Sequence, residues 1–366
     1  MIVVAKIGTS SVTLSGGGVD EGAVAKLASE LARLVERGHR VVVVSSGAVA
    51  AGAAVLSGGV PGRGGAGDPV ALQALSAIGQ HRLMRVYDDA LGRVGLVAGQ
   101  VLLAPTDFDH RGRYLHARDT LRRLLDLNVV PIVNENDAIA DDEIRFGDND
   151  RLAALVAHLL QADLLVLLTD TAGLFSADPR VDAGATLIEE VTEIDHELEA
   201  VAGGPGSDSA RGGMASKLTA AKMASWSGVR TVIAAAERPG VLADAVDGSG
   251  RVGTVFPPHG RALSARKLWI AFALRPSGRL VVDEGARRAL VERGTSLLPS
   301  GVVEVSGRFD ADDAVEICGP DGVVFAKGIS RMPSSRSPAW LGRRSTELPA
   351  DMPPEVVHRD DLVVLV

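Results

Sequence analysis

The chain has 366 residues, of which 46% are hydrophobic, and a formal net charge of −8 at pH 7. This length exceeds that of most single domains, so two domains are expected. Cys318 is the only cysteine, which excludes an intrachain disulfide and metal sites built from several thiolates. The negative charge gives no general attraction for nucleic acid or membranes. With no secretory leader and no apolar stretch near the roughly 18 residues of a membrane span, the chain is predicted to be cytoplasmic.

The first two-thirds of the chain alternate short β-branched runs with amphipathic helix patterns. The apolar runs predict strands at Ile2–Ile7, Val41–Val44, Leu96–Leu103, Val129–Val133, Leu164–Leu168 and Thr231–Ala234. The helical periodicity predicts helices at Glu21–Arg37, Pro69–Leu91, Tyr114–Leu127, Asp150–Gln161 and Met214–Trp226. Several strands are apolar on both faces, which is typical of an α/β fold with a mainly parallel open sheet sandwiched by helices.

A break at Pro257–Gly260 ends this pattern. Beyond it, short alternating segments predict strands of a small β-rich barrel domain, at Leu280–Val282, Val302–Val305, Ala314–Ile317, Val323–Ala326 and Leu362–Leu365. We therefore predict an α/β domain over 1–256, a linker over 257–268 and a β-rich domain over 269–366.

The first strand ends in the turn Lys6-Ile7-Gly8-Thr9-Ser10. A cation, a glycine and two hydroxyl residues at the carboxyl end of a strand suit a bound phosphate, although the glycine spacing is not that of a P-loop. The alternative is a surface lysine whose stem packs on the sheet while its ammonium group reaches solvent.

The second strand leads into Ser45-Ser46-Gly47-Ala48. The backbone amides of such a strand-to-helix turn suit a carboxylate or a phosphate. A serine nucleophile is the alternative, but the glycine frame of a nucleophile elbow is absent. Binding is therefore the favoured role for this turn.

Residues 131–157 carry two polar clusters. Asn134-Glu135-Asn136-Asp137 ends a strand, and Gly147-Asp148-Asn149-Asp150 precedes a helix. Ligands of open α/β sheets gather at such strand and helix ends. Carboxylates suit an ammonium group and amides suit a carboxylate, so the two clusters predict a site for a small zwitterion. Helix capping is the alternative for Asp148 or Asn149 alone, but it does not account for both clusters.

Two further clusters are Leu168-Thr169-Asp170 and the helix-opening segment Arg211-Gly212-Gly213-Met214-Ala215-Ser216-Lys217. Lys217 lies in a first helical turn, where a cation opposes the helix dipole unless an anion is near. Two lysines, glycine-rich turns and an acid and amide pocket indicate phosphoryl transfer, which depends on positioning and on neutralising cations.

These clusters contain no histidine, which favours a carboxylate as the phosphoryl acceptor. A carboxylate with an unperturbed pKa of about 4.3 is already ionised at neutral pH and needs no general base. For an alcohol acceptor, Asp137 or Asp150 is the alternative candidate for a general base.

These motifs resemble, in order, those of the bacterial glutamate 5-kinase family. The matching segments are Val4–Ser10, Val44–Gly52, Asn134–Asp137, Ile144–Asp150, Leu168–Asp170 and Gly212–Lys217. The resemblance covers essentially the whole chain, and the segments NEND and IRFGDND are its specific part. It implies an amino-acid-kinase fold followed by a PUA domain, and phosphorylation of L-glutamate by ATP to L-glutamyl 5-phosphate, the first step of proline biosynthesis.

The resemblance also implies residue roles. Ser46, Asp137 and Asn149 would bind glutamate, with Asn134 shaping the pocket. Lys6 and Lys217 would stabilise the transferring phosphoryl group, Asp150 would hold both lysines by charge pairing, and Gly8 and Asp148 would support this network. The implied nucleotide site comprises Lys6, Thr169, Asp170, Arg211, Gly212, Gly213, Met214, Ala215, Ser216 and Lys217. Magnesium would enter bound to ATP, because no dedicated protein cage for a metal is visible in the sequence.

The nucleotide loop departs from the family pattern, which reads GTGGM. Here Ala210 replaces a glycine and Arg211 replaces a small hydroxyl residue. Two interpretations stay open. Either the loop tolerates the change, or Arg211 makes a new bidentate contact to a phosphate group.

Proline as an inhibitor, a homo-oligomer, and glutamyl phosphate reductase as a partner are further expectations from the resemblance. One rival hypothesis keeps the fold but changes the acceptor to acetylglutamate, aspartate, carbamate or a nucleoside monophosphate. Another makes the tail an RNA-binding domain. The tail, residues 267–366, carries 13 Lys and Arg against 14 Asp and Glu, whereas RNA binding usually needs a basic face or stacking aromatics.

Overall fold

A computed structural model describes residues 1–14, 17–56, 69–104, 106–109, 111–139, 149–179, 181–182, 184–194, 198, 203, 213–248, 252–260, 263–274 and 276–365. The chain divides into two compact units, Met1–Ala262 and Leu263–Val366.

The first unit alternates strands with helices. Its strands are β1 (Ile2–Ile7), β2 (Arg40–Ser45), β3 (Val97–Leu103), β4 (Val129–Glu135), β5 (Leu164–Thr169), β6 (Arg230–Ala235) and β7 (Thr254–Phe256). Its helices are α1 (Thr9–Val12), α2 (Glu21–Glu36), α3 (Ala48–Val55), α4 (Pro69–Arg93), α5 (Thr106–Asp109), α6 (Arg111–Asp126), α7 (Asn149–Leu160), α8 (Met214–Trp226) and α9 (Val241–Asp247).

The seven strands form one sheet in the order β3-β4-β2-β1-β5-β6-β7. All neighbouring pairs are parallel except β6 and β7, which are antiparallel. The central strands are buried on both faces, as expected when helices cover both sides of a parallel sheet. The predicted α/β class with a mainly parallel sheet is confirmed.

Alternation along β1 assigns the two faces of the sheet. Val3, Ala5 and Ile7 pack into a core shared with α2, α4 and α9. Successive side chains of a strand point to opposite faces, so Val4 and Lys6 point to the other face, where α7 contacts β1. The site lysine is therefore buried under a helix.

Helix α3 was not predicted from the sequence. Its residues, AVAAGAAV, are nearly all small and apolar, so they show no polar face from which a helical period could be read. The helix packs very closely on α4. A Cβ atom on Gly52 would lie 1.9 Å from Leu75 O, and one on Gly79 would lie 1.7 Å from Ala48 O. Only glycines allow the two backbones to approach this closely.

The second unit is built on a mixed sheet. Its strands are β8 (Gly278–Val282), β9 (Val302–Gly307), β10 (Ala314–Cys318), β11 (Val324–Ser330) and β12 (Val357–Val364), in the order β12-β11-β10-β8-β9. Its helices are α10 (Ala265–Leu268), which continues into a π-helix at Trp269–Ala273, α11 (Glu284–Arg293) and α12 (Ser337–Trp340). The predicted β-rich tail is confirmed. Strand β12 begins before the predicted Leu362 because polar residues are tolerated on an edge strand.

The core of the second unit forms around Phe309, Phe325 and Trp340, which are each at most 2% exposed. Three of the five aromatic residues of the tail are therefore unavailable for stacking on bases. Among the described residues of the whole chain, no helix is both long enough and apolar enough to span a membrane.

Candidate active site

The site lies at the carboxyl edge of the sheet. Strands β4, β2, β1 and β5 are adjacent and parallel, so their carboxyl ends open at the same edge. This edge carries Lys6 from β1, Ser45 from β2, Asn134 from β4 and Thr169 from β5. Ligands of open α/β sheets bind at this end of the strands.

Two lysines and one aspartate form the centre of the site. Lys6 Nζ lies 2.5 Å from Asp150 Oδ1, and Lys217 Nζ lies 3.2 Å from Asp150 Oδ2. Lys6 is 2% exposed, Lys217 4% and Asp150 0%. Ser216 Oγ donates a further hydrogen bond to Asp150 Oδ2, at 2.8 Å. Because α7 supplies Asp150 and α8 supplies Lys217, the aspartate joins two helix N-termini to the end of β1.

The electrostatics of this cluster favour an anionic ligand. Burial alone would raise the pKa of Asp150, but the charges of Lys6 and Lys217 outweigh it and hold that pKa below its ordinary value. With both ammonium groups charged, the cluster keeps one excess positive charge. The burial of Lys6 rules out a lysine that reaches solvent. The anion expected beside Lys217 is Asp150, so the helix dipole by itself does not require a phosphate there.

A chain of hydrogen bonds links the ends of β2, β4 and α7. Asn149 Nδ2 donates to Ser45 O (2.9 Å), Ser46 Oγ (2.9 Å) and Asn134 Oδ1 (2.8 Å). Asn134 Nδ2 in turn donates to Gln80 Oε1 at 2.9 Å. The structure thus brings Ser46, Asn134 and Asn149 of the predicted glutamate pocket into direct contact.

Helix α4 contributes three residues that the sequence interpretation missed. Ser76 Oγ donates to Asp137 Oδ2 at 2.6 Å. Gln80 accepts from Asn134, and the Tyr87 hydroxyl lies 2.8 Å from Ser45 Oγ. Positions 76, 80 and 87 lie on one helical face, because position 80 is about one turn after position 76 and position 87 is about two turns after position 80. Polar residues on this buried face are the signal that points to them.

The predicted nucleotide residue Thr169 ends β5, which lies on the side of β1 away from β2 and β4. Its Oγ1 donates to Asp170 Oδ1 at 3.0 Å. Gly213 is the N-cap of α8, whose first turn contains Met214, Ala215 and Ser216. The structure brings Ser216 and Lys217 to Asp150 but shows no hydrogen bond between them and Thr169 among the described residues.

Some predicted residues lie outside the described part of the chain, namely Asp148, Arg211 and Gly212. The departure from the family pattern at Ala210 and Arg211 lies there as well. Gly8 is described. It is the N-cap of α1, and a Cβ atom at this position would lie 3.7 Å from Lys6 Nζ.

Comparison with known proteins determines the family. The model of the amino acid kinase family matches residues 1–235, and the PUA domain model matches residues 278–347. The chain belongs to the amino acid kinase family. Glutamate 5-kinase of Trichlorobacter lovleyi is 46% identical to it, over 99% of this chain and 96% of that protein. Glutamate 5-kinase of Pseudomonas putida is 45% identical, over 99% of this chain and 97% of that protein.

The amino acid kinase fold is also found by comparison with solved structures. Carbamate kinase from Giardia lamblia bound to AMP-PNP superposes with a TM-score of 0.50 at 19% identity, covering 70% of this chain and 98% of that one. Among the described residues, no group of three or more His, Cys, Asp or Glu side chains is arranged to hold a metal ion.

Proposed function

We propose that this protein transfers the γ-phosphoryl group of ATP to the side-chain carboxylate of L-glutamate. The product is L-glutamyl 5-phosphate, and the reaction is the first step of proline biosynthesis. The relatives named glutamate 5-kinase match over nearly the full length of the chain. The observation that carries the proposal is the pair of buried lysines on Asp150, next to a pocket of amides and a carboxylate.

The chemistry needs no general base. The acceptor carboxylate is ionised at neutral pH, so one of its oxygens attacks the γ-phosphorus directly and ADP leaves. Lys6 and Lys217 stabilise the equatorial oxygens of the transferring group. Asp150 fixes the positions of both lysines. Its lowered pKa and its two ion pairs make it a poor base, which argues against an alcohol acceptor activated by Asp150.

Two separate sets of residues bind the two substrates, glutamate and ATP. Asp137 suits the α-ammonium group of glutamate, and Ser46, Asn134 and Asn149 form the hydrogen-bonded wall beside it. On the nucleotide side we assign Thr169, Asp170 and the loop from Arg211 to Lys217, with Gly8 and Asp148 in support. Magnesium would supply charge neutralisation on the phosphates and would enter with ATP, a mode that is common for this ion.

Proline inhibition, a homo-oligomer, glutamyl phosphate reductase as a partner and a cytoplasmic location belong to the same proposal and rest on the resemblance to bacterial glutamate 5-kinases. RNA binding by the tail is disfavoured by the buried Phe309, Phe325 and Trp340 and by its balanced charge, since RNA-binding surfaces are usually basic or aromatic.

ADP release in the presence of L-glutamate and Mg-ATP tests the proposal. Hydroxylamine added to the reaction should trap the acyl phosphate as a hydroxamate, which separates carboxylate phosphorylation from simple ATP hydrolysis. Aspartate, acetylglutamate, carbamate and a nucleoside monophosphate serve as competing acceptors. A clear preference for any of them over glutamate would refute the assignment.

A further inference from the structure

Three side-chain amides form a continuous chain along the glutamate pocket. Gln80 on α4 accepts from Asn134 at the end of β4, and Asn134 accepts from Asn149 at the start of α7. Gln80 and Asn134 are 54 residues apart, and Asn134 and Asn149 are 15 apart. Three separate elements of the fold therefore contribute to this one array of hydrogen bonds.

Two backbone groups fix the direction of the chain. Asn149 Nδ2 contacts Ser45 O, which can only accept, and Asn134 Oδ1 contacts the Glu135 N–H, which can only donate. The oxygen and nitrogen of both asparagines are thereby assigned without ambiguity. Asn134 must present its Nδ2 to Gln80, so Gln80 must present Oε1 to Asn134 and keep Nε2 as a donor.

Both ends of the chain are buried and without a hydrogen-bond partner among the described residues. These ends are Asn149 Oδ1, an acceptor, and Gln80 Nε2, a donor. Gln80 as a whole is only 8% exposed. Buried polar groups in native proteins are nearly always paired, and an unpaired one calls for an explanation such as a ligand. The unpaired donor at the Gln80 end matches a carboxylate group of a bound amino acid.

The position of Gln80 indicates which carboxylate it meets. The carboxylate that receives the phosphoryl group must lie beside Lys6 and Lys217, and Asp150, which binds both lysines, directly follows Asn149 in the chain. Gln80 is at the opposite end of the amide chain. It lies one helical turn from Ser76, which binds Asp137, the residue suited to the α-ammonium group.

We propose that Gln80 Nε2 donates a hydrogen bond to the α-carboxylate of bound glutamate, and that Gln80 thereby helps the site to select its acceptor. This inference rests on the proposed function. It adds to the site a residue from α4, a helix that contains none of the site residues predicted from the sequence.

A donor–acceptor exchange tests the inference. In Gln80→Glu the side chain keeps its size and its acceptor for Asn134 but loses the donor. L-isoglutamine carries a carboxamide in place of the α-carboxylate and keeps the side-chain carboxylate that is phosphorylated. The quantity measured is the ratio of kcat/KM for glutamate to kcat/KM for isoglutamine. This ratio should fall by roughly tenfold or more in Gln80→Glu. The carboxamide of isoglutamine can donate a hydrogen bond to the new carboxylate, whereas the α-carboxylate of glutamate is repelled by it.

Gln100→Glu, the same substitution at an exposed position on β3, is the matched control and should leave the ratio unchanged. The KM for ATP should not change in either variant. If Gln80→Glu lowers kcat/KM equally for both acceptors, Gln80 is only a structural residue and the inference is wrong. If Gln80→Glu does not fold, Gln80→Met, which is uncharged and of similar size, takes its place. An unchanged ratio in that variant also overturns the inference. A wild-type protein that phosphorylates neither acceptor would instead refute the proposed function.

Discussion

Asp150 is the residue that joins Lys6 and Lys217 by ion pairs. It is fully buried and contacts both ammonium groups. Removal of one partner from a buried ion pair typically costs about 3–5 kcal/mol, because a desolvated charge is left behind. Asp150→Asn should therefore destabilise the protein by about that amount at neutral pH, as measured by urea unfolding.

The pH dependence of this loss follows from the lowered pKa of Asp150. A carboxyl group whose pKa is lower in the folded than in the unfolded state contributes its full stability above the unfolded value, here 3.8, and loses that contribution as the pH falls through the folded value. The difference in unfolding free energy between wild type and Asp150→Asn should stay constant from pH 7 to about pH 4 and shrink only below that. A difference that disappears by pH 5 would contradict the assigned ion pairs.

The two lysines should affect the rate more than substrate binding. In the proposed reaction they face the charge that develops on the transferring phosphoryl group, and interactions made mainly in the transition state appear in kcat. Lys6→Ala and Lys217→Ala should each lower kcat roughly 10²–10³-fold, with a smaller change in the KM for glutamate. Lys222→Ala, on the same helix as Lys217 but outside the cluster, is the control. An unchanged kcat in either site variant would show that the lysine is structural.

At the scale of elements, the close packing of α3 on α4 places the substrate-side residues of α4. Gly79 lies between Ser76 and Gln80, and a Cβ atom there would overlap Ala48 O. Gly79→Ala should destabilise the protein by about 1–3 kcal/mol, as overpacking does, and raise the KM for glutamate because Ser76 and Gln80 are displaced with the helix.

Gly92 provides the matched control for this prediction. It lies on the same helix, and a Cβ atom there would meet nothing within 4 Å. Gly92→Ala should stabilise the helix by about 0.5–1 kcal/mol and leave the KM for glutamate unchanged. Thermal unfolding of both variants measures the change in stability, and steady-state kinetics measure the KM for glutamate. Similar behaviour of the two would mean that the helix contact does not position the pocket.

The elements differ in how far the sequence could predict them. Strand β1 and helix α8 have the predicted bounds, Ile2–Ile7 and Met214–Trp226. Strand β1 is a short continuous apolar run that ends before Gly8, and glycines flank α8 on both sides, at Gly213 and Gly228. Helix α3 could not be predicted because its small apolar residues show neither a polar face nor a period. Gln80 and Ser76 could not be predicted as site residues either. Their partners, Asn134 and Asp137, are more than 50 residues away in the chain, and only the folded sheet brings them together.

At the scale of the whole molecule, the second unit, Leu263–Val366, should be dispensable for phosphoryl transfer. Every residue assigned to the site lies in the first unit, which ends at Ala262 and has its own core. A chain truncated after Ala262 should fold and keep kcat and both KM values close to those of the full chain. Circular dichroism and the ADP-release assay measure this. A folded truncated chain without kinase activity would show that the tail takes part in catalysis.

Inhibition by proline is the remaining prediction for the intact protein, and it follows from the chemistry of the pocket together with the resemblance to glutamate 5-kinases. Proline shares with glutamate an α-carboxylate and a cationic α-nitrogen, the groups that Gln80 and Asp137 are proposed to bind. It lacks the carboxylate that accepts the phosphoryl group, so it can occupy the pocket without reacting. Glutamate should therefore relieve the inhibition, whereas ATP should not.

Asp137→Ala should weaken the binding of proline and glutamate together, because one carboxylate serves the cationic nitrogen of both ligands. Ser76 holds that carboxylate at 2.6 Å, so Ser76→Ala should weaken both in the same direction but less. Equilibrium titration with proline, with and without saturating glutamate, measures the competition directly. If saturating glutamate leaves the affinity for proline unchanged, the two ligands occupy separate sites and the shared pocket is refuted.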